Sequence, residues 1–451
     1  MTYLQLKKNL LNQPLTLPNG VVIPNRLAKA ATSETLATYS NNPTEKHIRL
    51  YQRWASSGIG MIITGNIMID RRALGEPGNV VIEDERDFES LKKWAKCVTE
   101  QGSQLWAQLN HPGKQSPKGL NLRNISASAV PFGTEMQSLF TTPDEATHEE
   151  ILEIIQRFGR SAAICKKAGF SGVEIHAAYG YLINQFLSPL HNLRNDEWGG
   201  TPEKRRKFLM DVYIEIRKQV GTDFPIAIKL NSADFQKGGF TEEDSLEVIK
   251  ALAAAGIDLI EISGGTYESG VAKAPQKSST IIREAFFIDF AEKVRAHVKT
   301  PLMVTGGFRS AEGMSQALES NAFDVVGIAR LMAIDPDAAK HLLVGTNSKQ
   351  TVQPIKTGIK KIDGLGIMEV LWYTQQLNRI AQGKAPKPSA FYVVKLVFIT
   401  LANRTCAYLC TSHLINDDRS NFSTIFSIPK CDHLFWVFIR LMFSPPIPQY
   451  E

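Results

Sequence analysis

The stretch Gly169–Gly200, GFSGVEIHAAYGYLINQFLSPLHNLRNDEWGG, opens as a buried strand and ends in a polar loop closed by glycine. His176, Tyr179 and Tyr181 sit where the strand gives way to the loop. That grouping suits a site that holds a polar group of a substrate and gives it a proton. The competing reading is a satisfied histidine beside packing aromatics. The strand-end position favours chemistry.

Seven other strand-like runs surround this one. The full set is Arg26–Thr32, Gly60–Gly65, Gln104–Asn110, Gly172–Ala177, Pro225–Asn231, Asp258–Ser263, Pro301–Thr305 and Asp324–Ile328. Several consist of Val, Ile, Leu and Ala without polar alternation, as expected of parallel strands buried on both faces. Amphipathic helices lie between them. Glu149–Ala168 carries Ile, Phe and Ala at helical spacing, and Glu242–Ala255 follows Thr241, an N-cap with Asp244 three residues on. Gly169 and Gly256 fall where helix C-caps belong. Eight strands joined by helices fit a closed (β/α)8 TIM barrel, whose active site lies at the carboxyl ends of the strands. A doubly wound sheet is the alternative, weakened because no strand is followed by a Gly-x-Gly-x-x-Gly turn. Pro112–Thr147, rich in Ser, Asn, Gly and Pro, reads as an excursion over the top of the barrel, and Gly264–Ser279 as a second irregular stretch.

The chain has 451 residues, a formal net charge of +6 and a 43% hydrophobic fraction. Its basic residues are scattered, which gives no case for nucleic acid. Cys97 and Cys165 fall in predicted helices, so a reduced compartment without a disulfide framework is expected. The opening residues MTYLQLKKNLLNQPL carry no signal or clear transit pattern, and a cytoplasmic location follows as an expectation.

Helical character finishes near Gly383, and the composition changes beyond Pro388 to FYVVKLVFITLANRTCAYLC and later HLFWVFIRLMFSPP. We therefore divide the chain into a barrel over residues 1–388 and an extension over 389–451. Charged residues interrupt both apolar runs, so extra packing, weak membrane contact and an aberrant tail all stay open. Cys406, Cys410, His413, Cys431 and His433 are spaced unlike a zinc ribbon or finger, and no metal site is expected.

Chemistry concentrates at strand ends. Ala31, Thr32 and Ser33 at the end of the first strand, with Gly65 and Asn66 at the end of the second, would let a flat ring lie close to the backbone. Gln108, in the third strand, offers a donor and an acceptor that match the edge of a pyrimidine-like ring. Lys229 closes the apolar run IAIK of the fifth strand, where a cation could neutralise electron density on a reduced ring; a snorkelling lysine is the alternative. Gly306, Gly307 and Arg309 after the seventh strand, with Ala329 and Arg330 after the eighth, are placed as a phosphate cradle on this fold.

Four segments, PNRLAKAA from Pro24, LYQRWASSGIGMIITGNIMIDRR from Leu50, AQLNHPGKQ from Ala107 and KLNSADFQKGGF from Lys229, resemble the old yellow enzyme family, also called NADH:flavin oxidoreductase/NADH oxidase-like proteins. The likeness runs from about Leu10 to Ala385. It implies a TIM barrel with non-covalent FMN. Ser33 would face the N5/O4 edge of the flavin, and Gln108 would read its pyrimidine end. Lys229 stands where most relatives have arginine near N1/O2. Gly307, Arg309, Ala329 and Arg330 would hold the phosphate. The resemblance makes His176 and Tyr179 the substrate anchors, although Tyr179 departs from the family's histidine or asparagine, and makes Tyr181 the proton donor. NADH or NADPH would be the reductant, and an alkene conjugated to a carbonyl or nitro group the acceptor. The alternatives to this reading are NAD(P)H oxidase activity, dienoyl thioester reduction, and a barrel without enzymatic activity. The oligomeric state is not legible.

Overall fold

The computed structural model describes residues 9–134, 136–265, 287–353, 355 and 367–388. Eight parallel strands form its centre: β1 Leu27–Lys29, β2 Met61–Ile63, β3 Gln104–Asn110, β4 Gly172–Ala177, β5 Ile226–Asn231, β6 Leu259–Ser263, β7 Leu302–Thr305 and β8 Val325–Ile328. Each pairs with the next, and β8 returns to β1 through Val326 opposite Leu27. The sheet is therefore a closed barrel, as expected, and the doubly wound alternative is excluded. A short appendage, Ile67–Met68 with Val80–Val81, hangs from the end of β3.

Helices ring the barrel: α1 Glu45–Ala55, α2 Phe88–Thr99, α3 His148–Lys167, α4 Pro202–Val220, α5 Glu242–Ala254, α6 Ile288–Arg295, α7 Ala311–Glu319 and α8 Ile367–Ala381. Several starts are fixed chemically. The side chains of Thr147, Thr201, Thr241 and Ser310 accept hydrogen bonds from the backbone amides of Glu150, Lys204, Asp244 and Gly313. Gly169 and Gly256 end α3 and α5 with φ of +91° and +86°, a conformation that glycine reaches without strain. The predicted bounds of these two helices differ from the observed ones by a single residue.

The inner face of the barrel changes character along its axis. Near the amino ends, Ala28, Met61, Trp106, Ala227, Leu259, Met303 and Val325 form an apolar plug with Leu15, Leu17 and Ile23. The last three come from an antiparallel pair, Leu15–Thr16 with Val22–Ile23, which shuts this end. Gly172 makes room for Trp106, because a Cβ there would lie 2.8 Å from the indole. Further along β3 to β6 the inward positions turn polar: Gln108, Glu174, Lys229 and Glu261, then Asn110, His176, Asn231 and Ser263, while Ala30 and Ile63 keep β1 and β2 apolar. This corrects the expectation of strands without polar alternation. A period-two polar set faces inward at the carboxyl end, while Leu109, Ile175, Leu230 and Ile262 face the helices.

The excursion over residues 112–147 contains one small strand pair, Ile125–Ser126 with Asp144–Glu145. It is tied to the loop after β4 by the Arg194 guanidinium, which donates to the carbonyls of Ala127 (3.1 Å) and Ala146 (2.7 Å). Most of the irregular stretch after β6 and the whole extension from residue 389, including Cys406, Cys410, His413, Cys431 and His433, lie outside the described residues.

Candidate active site

The carboxyl end of β4 is bent sharply. Tyr179 and Gly180 both adopt positive φ, 58° and 83°, which reverses the chain and brings Tyr181 back beside His176. A left-handed tyrosine is strained and needs support from its surroundings. The support is a buried polar network. Asn231 Oδ1 accepts from Tyr179 N (3.3 Å), Asn184 Oδ1 accepts from Gly180 N (2.7 Å), and the amides of Asn184 and Asn231 both donate to Asp234 Oδ1 at 3.1 Å.

His176 is buried, and its ring stands 4.7 Å from Tyr181 at 74°. Its Nδ1 accepts from Ala178 N at 3.3 Å, so the neutral imidazole carries its proton on Nε2. Burial, with Lys229 adding to it, holds the imidazole well below its ordinary pKa, so it is neutral at physiological pH. The Tyr181 oxygen accepts from Asn66 Nδ2 (3.3 Å), which leaves that bond without a claim on the phenolic proton. Asn66 Nδ2 also donates to Ser33 Oγ (3.2 Å), and Asn66 Oδ1 accepts from Asn110 Nδ2 (3.3 Å). The ends of β1, β2, β3 and β4 thus meet around one phenol.

Tyr179 is placed differently. Its hydroxyl hydrogen-bonds Ser263 Oγ at the end of β6, and Lys229 Nζ lies 5.5 Å from the centre of its ring. Lys229 is two residues short of the end of β5 rather than at it, and it does not snorkel. It is buried and ion-paired with Glu261 Oε1 at 2.7 Å. Burial opposes the charge, but Glu261, Tyr179 and Glu174 outweigh it and hold the ammonium above its usual range. The Gln108 amide donates from Nε2 to Glu174 Oε2 at 2.7 Å, which directs its carbonyl oxygen away from that carboxyl.

On the first two loops, Glu34 fixes the geometry. Its carboxylate accepts from Gly65 N (2.9 Å) and from the Tyr51 hydroxyl. A Cβ on Gly65 would sit 2.1 Å from Glu34 Oε2. Thr32 Oγ1 is used by Lys29, whose ammonium donates to it at 2.7 Å and lies over Trp54 outside the barrel wall. Ala31 and Ser33 are half-buried between these groups.

The loops after β7 and β8 lie side by side, since Thr305 is the register partner of Gly327. Gly306 and Gly307, at φ 118° and 93°, turn the chain toward α7, which Ser310 caps. Ala329 precedes Arg330, and the Arg330 guanidinium donates to Glu369 Oε1 of α8 at 2.5 Å. Arg309 lies on the β7 loop beside them. The structure therefore brings Gly306, Gly307, Arg309, Ala329 and Arg330 to one side of the mouth, with Arg330 engaged by α8.

A family model described as the NADH:flavin oxidoreductase / NADH oxidase family matches residues 10–348. The chain belongs to that family. Among similar NADH:flavin oxidoreductase relatives, the NADH-dependent flavin oxidoreductase iliE of Hypocrea jecorina (strain QM6a) is 37% identical over 363 residues, 75% of this chain and 90% of that protein. The protein of the same name from Neonectria sp. (strain DH2) is 36% identical over 373 residues, which is 77% of this chain. This chain spans only 48% of the Neonectria protein. A solved 2-naphthoyl-CoA reductase in complex with 2-naphthoyl-CoA superimposes with a TM-score of 0.68 at 27% identity, over 75% of this chain and 53% of that one.

The sequence reading passed over Glu34, Glu174 and Glu261, which hold Gly65, Gln108 and Lys229. A signal for two of them was present. Gln-Leu-Asn, Glu-Ile-His, Lys-Leu-Asn and Glu-Ile-Ser close four consecutive strands, each a polar–aliphatic–polar triplet. Charge at the first position of such a triplet marks the inner wall. Among the described residues, no cluster of His, Cys, Asp or Glu could hold a metal, and no helix is long and apolar enough to cross a membrane.

Proposed function

We propose that this chain is an FMN-dependent oxidoreductase that passes hydride from NADH or NADPH to an electron-poor alkene conjugated to a carbonyl or nitro group. The observation that carries this is the meeting of His176, Tyr181, Asn66 and Ser33 at the one polar mouth of the barrel, above a buried cation. The residues suit FMN. Asn110 Oδ1 is buried at this end with no hydrogen-bond partner among the described residues, and the two glycines after β7 adjoin the β8 loop. Ser33, Asn66, Gln108 and Lys229 would hold the ring, with Ala31, Thr32 and Gly65 shaping the wall beside it. Gly306, Gly307, Arg309, Ala329 and Arg330 would hold the phosphate. When bound, FMN supplies the hydride chemistry.

The protein's own groups do the rest. His176 donates from Nε2 to the substrate's carbonyl or nitro oxygen, drawing charge toward that oxygen and away from the β-carbon. Tyr181 gives its phenolic proton to the α-carbon. Tyr179 spends its hydroxyl on Ser263 and so acts mainly as a wall behind His176. Lys229 keeps a positive charge inside the barrel that favours an electron-rich ring. We propose further that residues 1–388 are the flavin barrel and that 389–451 are a C-terminal extension of it.

The test is direct. Purified full-length protein should be yellow, should bleach anaerobically with NADH or NADPH, and should regain its colour with enones or nitroalkenes. A folded, colourless protein that cannot be reconstituted with FMN would sink the proposal.

A further inference from the structure

Four side chains form a closed polar layer beneath the mouth: Gln108, Glu174, Lys229 and Glu261, all buried. Glu174 is the register partner of Gln108, and Lys229 is the partner of Glu261 on one side and His176 on the other. Two contacts are direct, Gln108 Nε2 to Glu174 Oε2 and Lys229 Nζ to Glu261 Oε1, each at 2.7 Å. Among the described residues, the second oxygens, Glu174 Oε1 and Glu261 Oε2, have no close hydrogen-bond partner while both groups are ionised, although the Thr305 side chain faces Glu261. Two carboxylates against one ammonium would leave a net negative charge in a sealed core, which burial strongly disfavours. The other buried cation nearby, Lys29, is turned outward to Thr32 and Trp54.

We propose that Glu174 and Glu261 are positioning residues that share one proton, and that this pair sets both the net charge beside Lys229 and the orientation of the Gln108 amide. With the proton on Glu174, the layer sums to zero: one ammonium, one carboxylate and one neutral carboxyl. The Glu174 hydroxyl then donates toward Glu261, its other oxygen accepts from Gln108, and each carboxyl oxygen of the pair has a partner. The environments agree. Burial, reinforced by Glu261, pushes Glu174 well above the carboxylate range. Burial also opposes the Glu261 charge, but Lys229 prevails and holds that group low. The consequence is a self-adjusting counter-charge: if either carboxyl is removed, the other ionises against Lys229. This inference rests on the flavin reading, since the charge and the amide are the two features the ring would meet.

The experiment is a double-mutant cycle on the full-length holoenzyme with E174Q, E261Q and the double variant. It reads FMN affinity by fluorescence and midpoint potential with a reference dye. Either single variant should leave the ratio of affinities for reduced and oxidised flavin within about threefold, because the surviving carboxyl compensates. The double variant strands the Lys229 charge and should favour reduced flavin by about 30-fold, a more positive potential. Equal, additive shifts from the two singles, or no shift in the double, would overturn the shared proton. Infrared spectroscopy gives a second, flavin-independent readout on the wild type. A protonated-carboxyl band that moves in deuterium oxide and vanishes in E174Q supports the pair, and its absence overturns it. Wild-type protein that binds no FMN but keeps this band would sink the flavin reading and leave the pair standing.

Discussion

At the residue scale, two tyrosines two positions apart have opposite fates. Tyr181 receives a hydrogen bond from Asn66 and stands beside His176, whereas Tyr179 is tied to Ser263. Tyr181→Phe should therefore slow alkene turnover by about 100-fold or more, while flavin reduction by the nicotinamide stays near the wild-type rate. Stopped-flow measurement of the two half-reactions checks this, and equal losses in both would count against a proton donor. Tyr179→Phe should change turnover by no more than about threefold, since it removes a bond between two protein hydroxyls on the rim. A loss as large as that of Tyr181→Phe would show that the Tyr179 hydroxyl reaches substrate. The positions of both rings were legible, because each is a short step from a strand end. The direction of the Tyr179 hydroxyl was not, because it follows from a left-handed backbone angle and from a serine 84 residues away.

At the element scale, strand order and helix starts could be read almost directly. Thr241 with Asp244, and Thr147 with Glu150, are reciprocal caps that a local pattern reveals. Thr241→Ala should cost about 1 kcal/mol in urea denaturation, because the Asp244 amide loses its acceptor. Gly172→Ala should cost about 1–3 kcal/mol by driving a methyl into the Trp106 indole, and a neutral result would show that the plug is loosely packed. The inward polar triplets were harder to see. The alternation itself stands in each triplet, but which polar groups meet across the barrel is not fixed until the register of each strand against its neighbours is known. Register is a property of the closed sheet, which no single strand carries. The same limit hid Glu174 and Glu261, whose roles exist only across strands.

At the scale of the whole molecule, closure of the barrel buries ionisable groups that must stay neutral. Burial lowers His47 and His111 from 6.5 to about 4. Each has a folded-state pKa below its unfolded value, so the unfolded chain binds more protons between these limits. Stability should therefore be fullest above about pH 6.5 and fall as pH drops toward 4, by on the order of 3 kcal/mol per histidine. Denaturant midpoints across this range test the sign, and a flat profile would contradict it. His47→Gln should soften the acid limb, because a neutral acceptor still receives the Thr44 amide now bonded to His47 Nδ1. The eightfold count of strands predicted this architecture well, yet it said nothing of how the lower end is sealed. The hairpin of Leu15, Leu17 and Ile23 does that, and its effect reaches beyond stability. A vessel corked at its base is entered, among the described residues, from the opposite end, so visitors to its chamber must queue. An electron donor and an electron acceptor sharing that entrance take turns, and steady-state rate plots for the two should give parallel rather than converging lines.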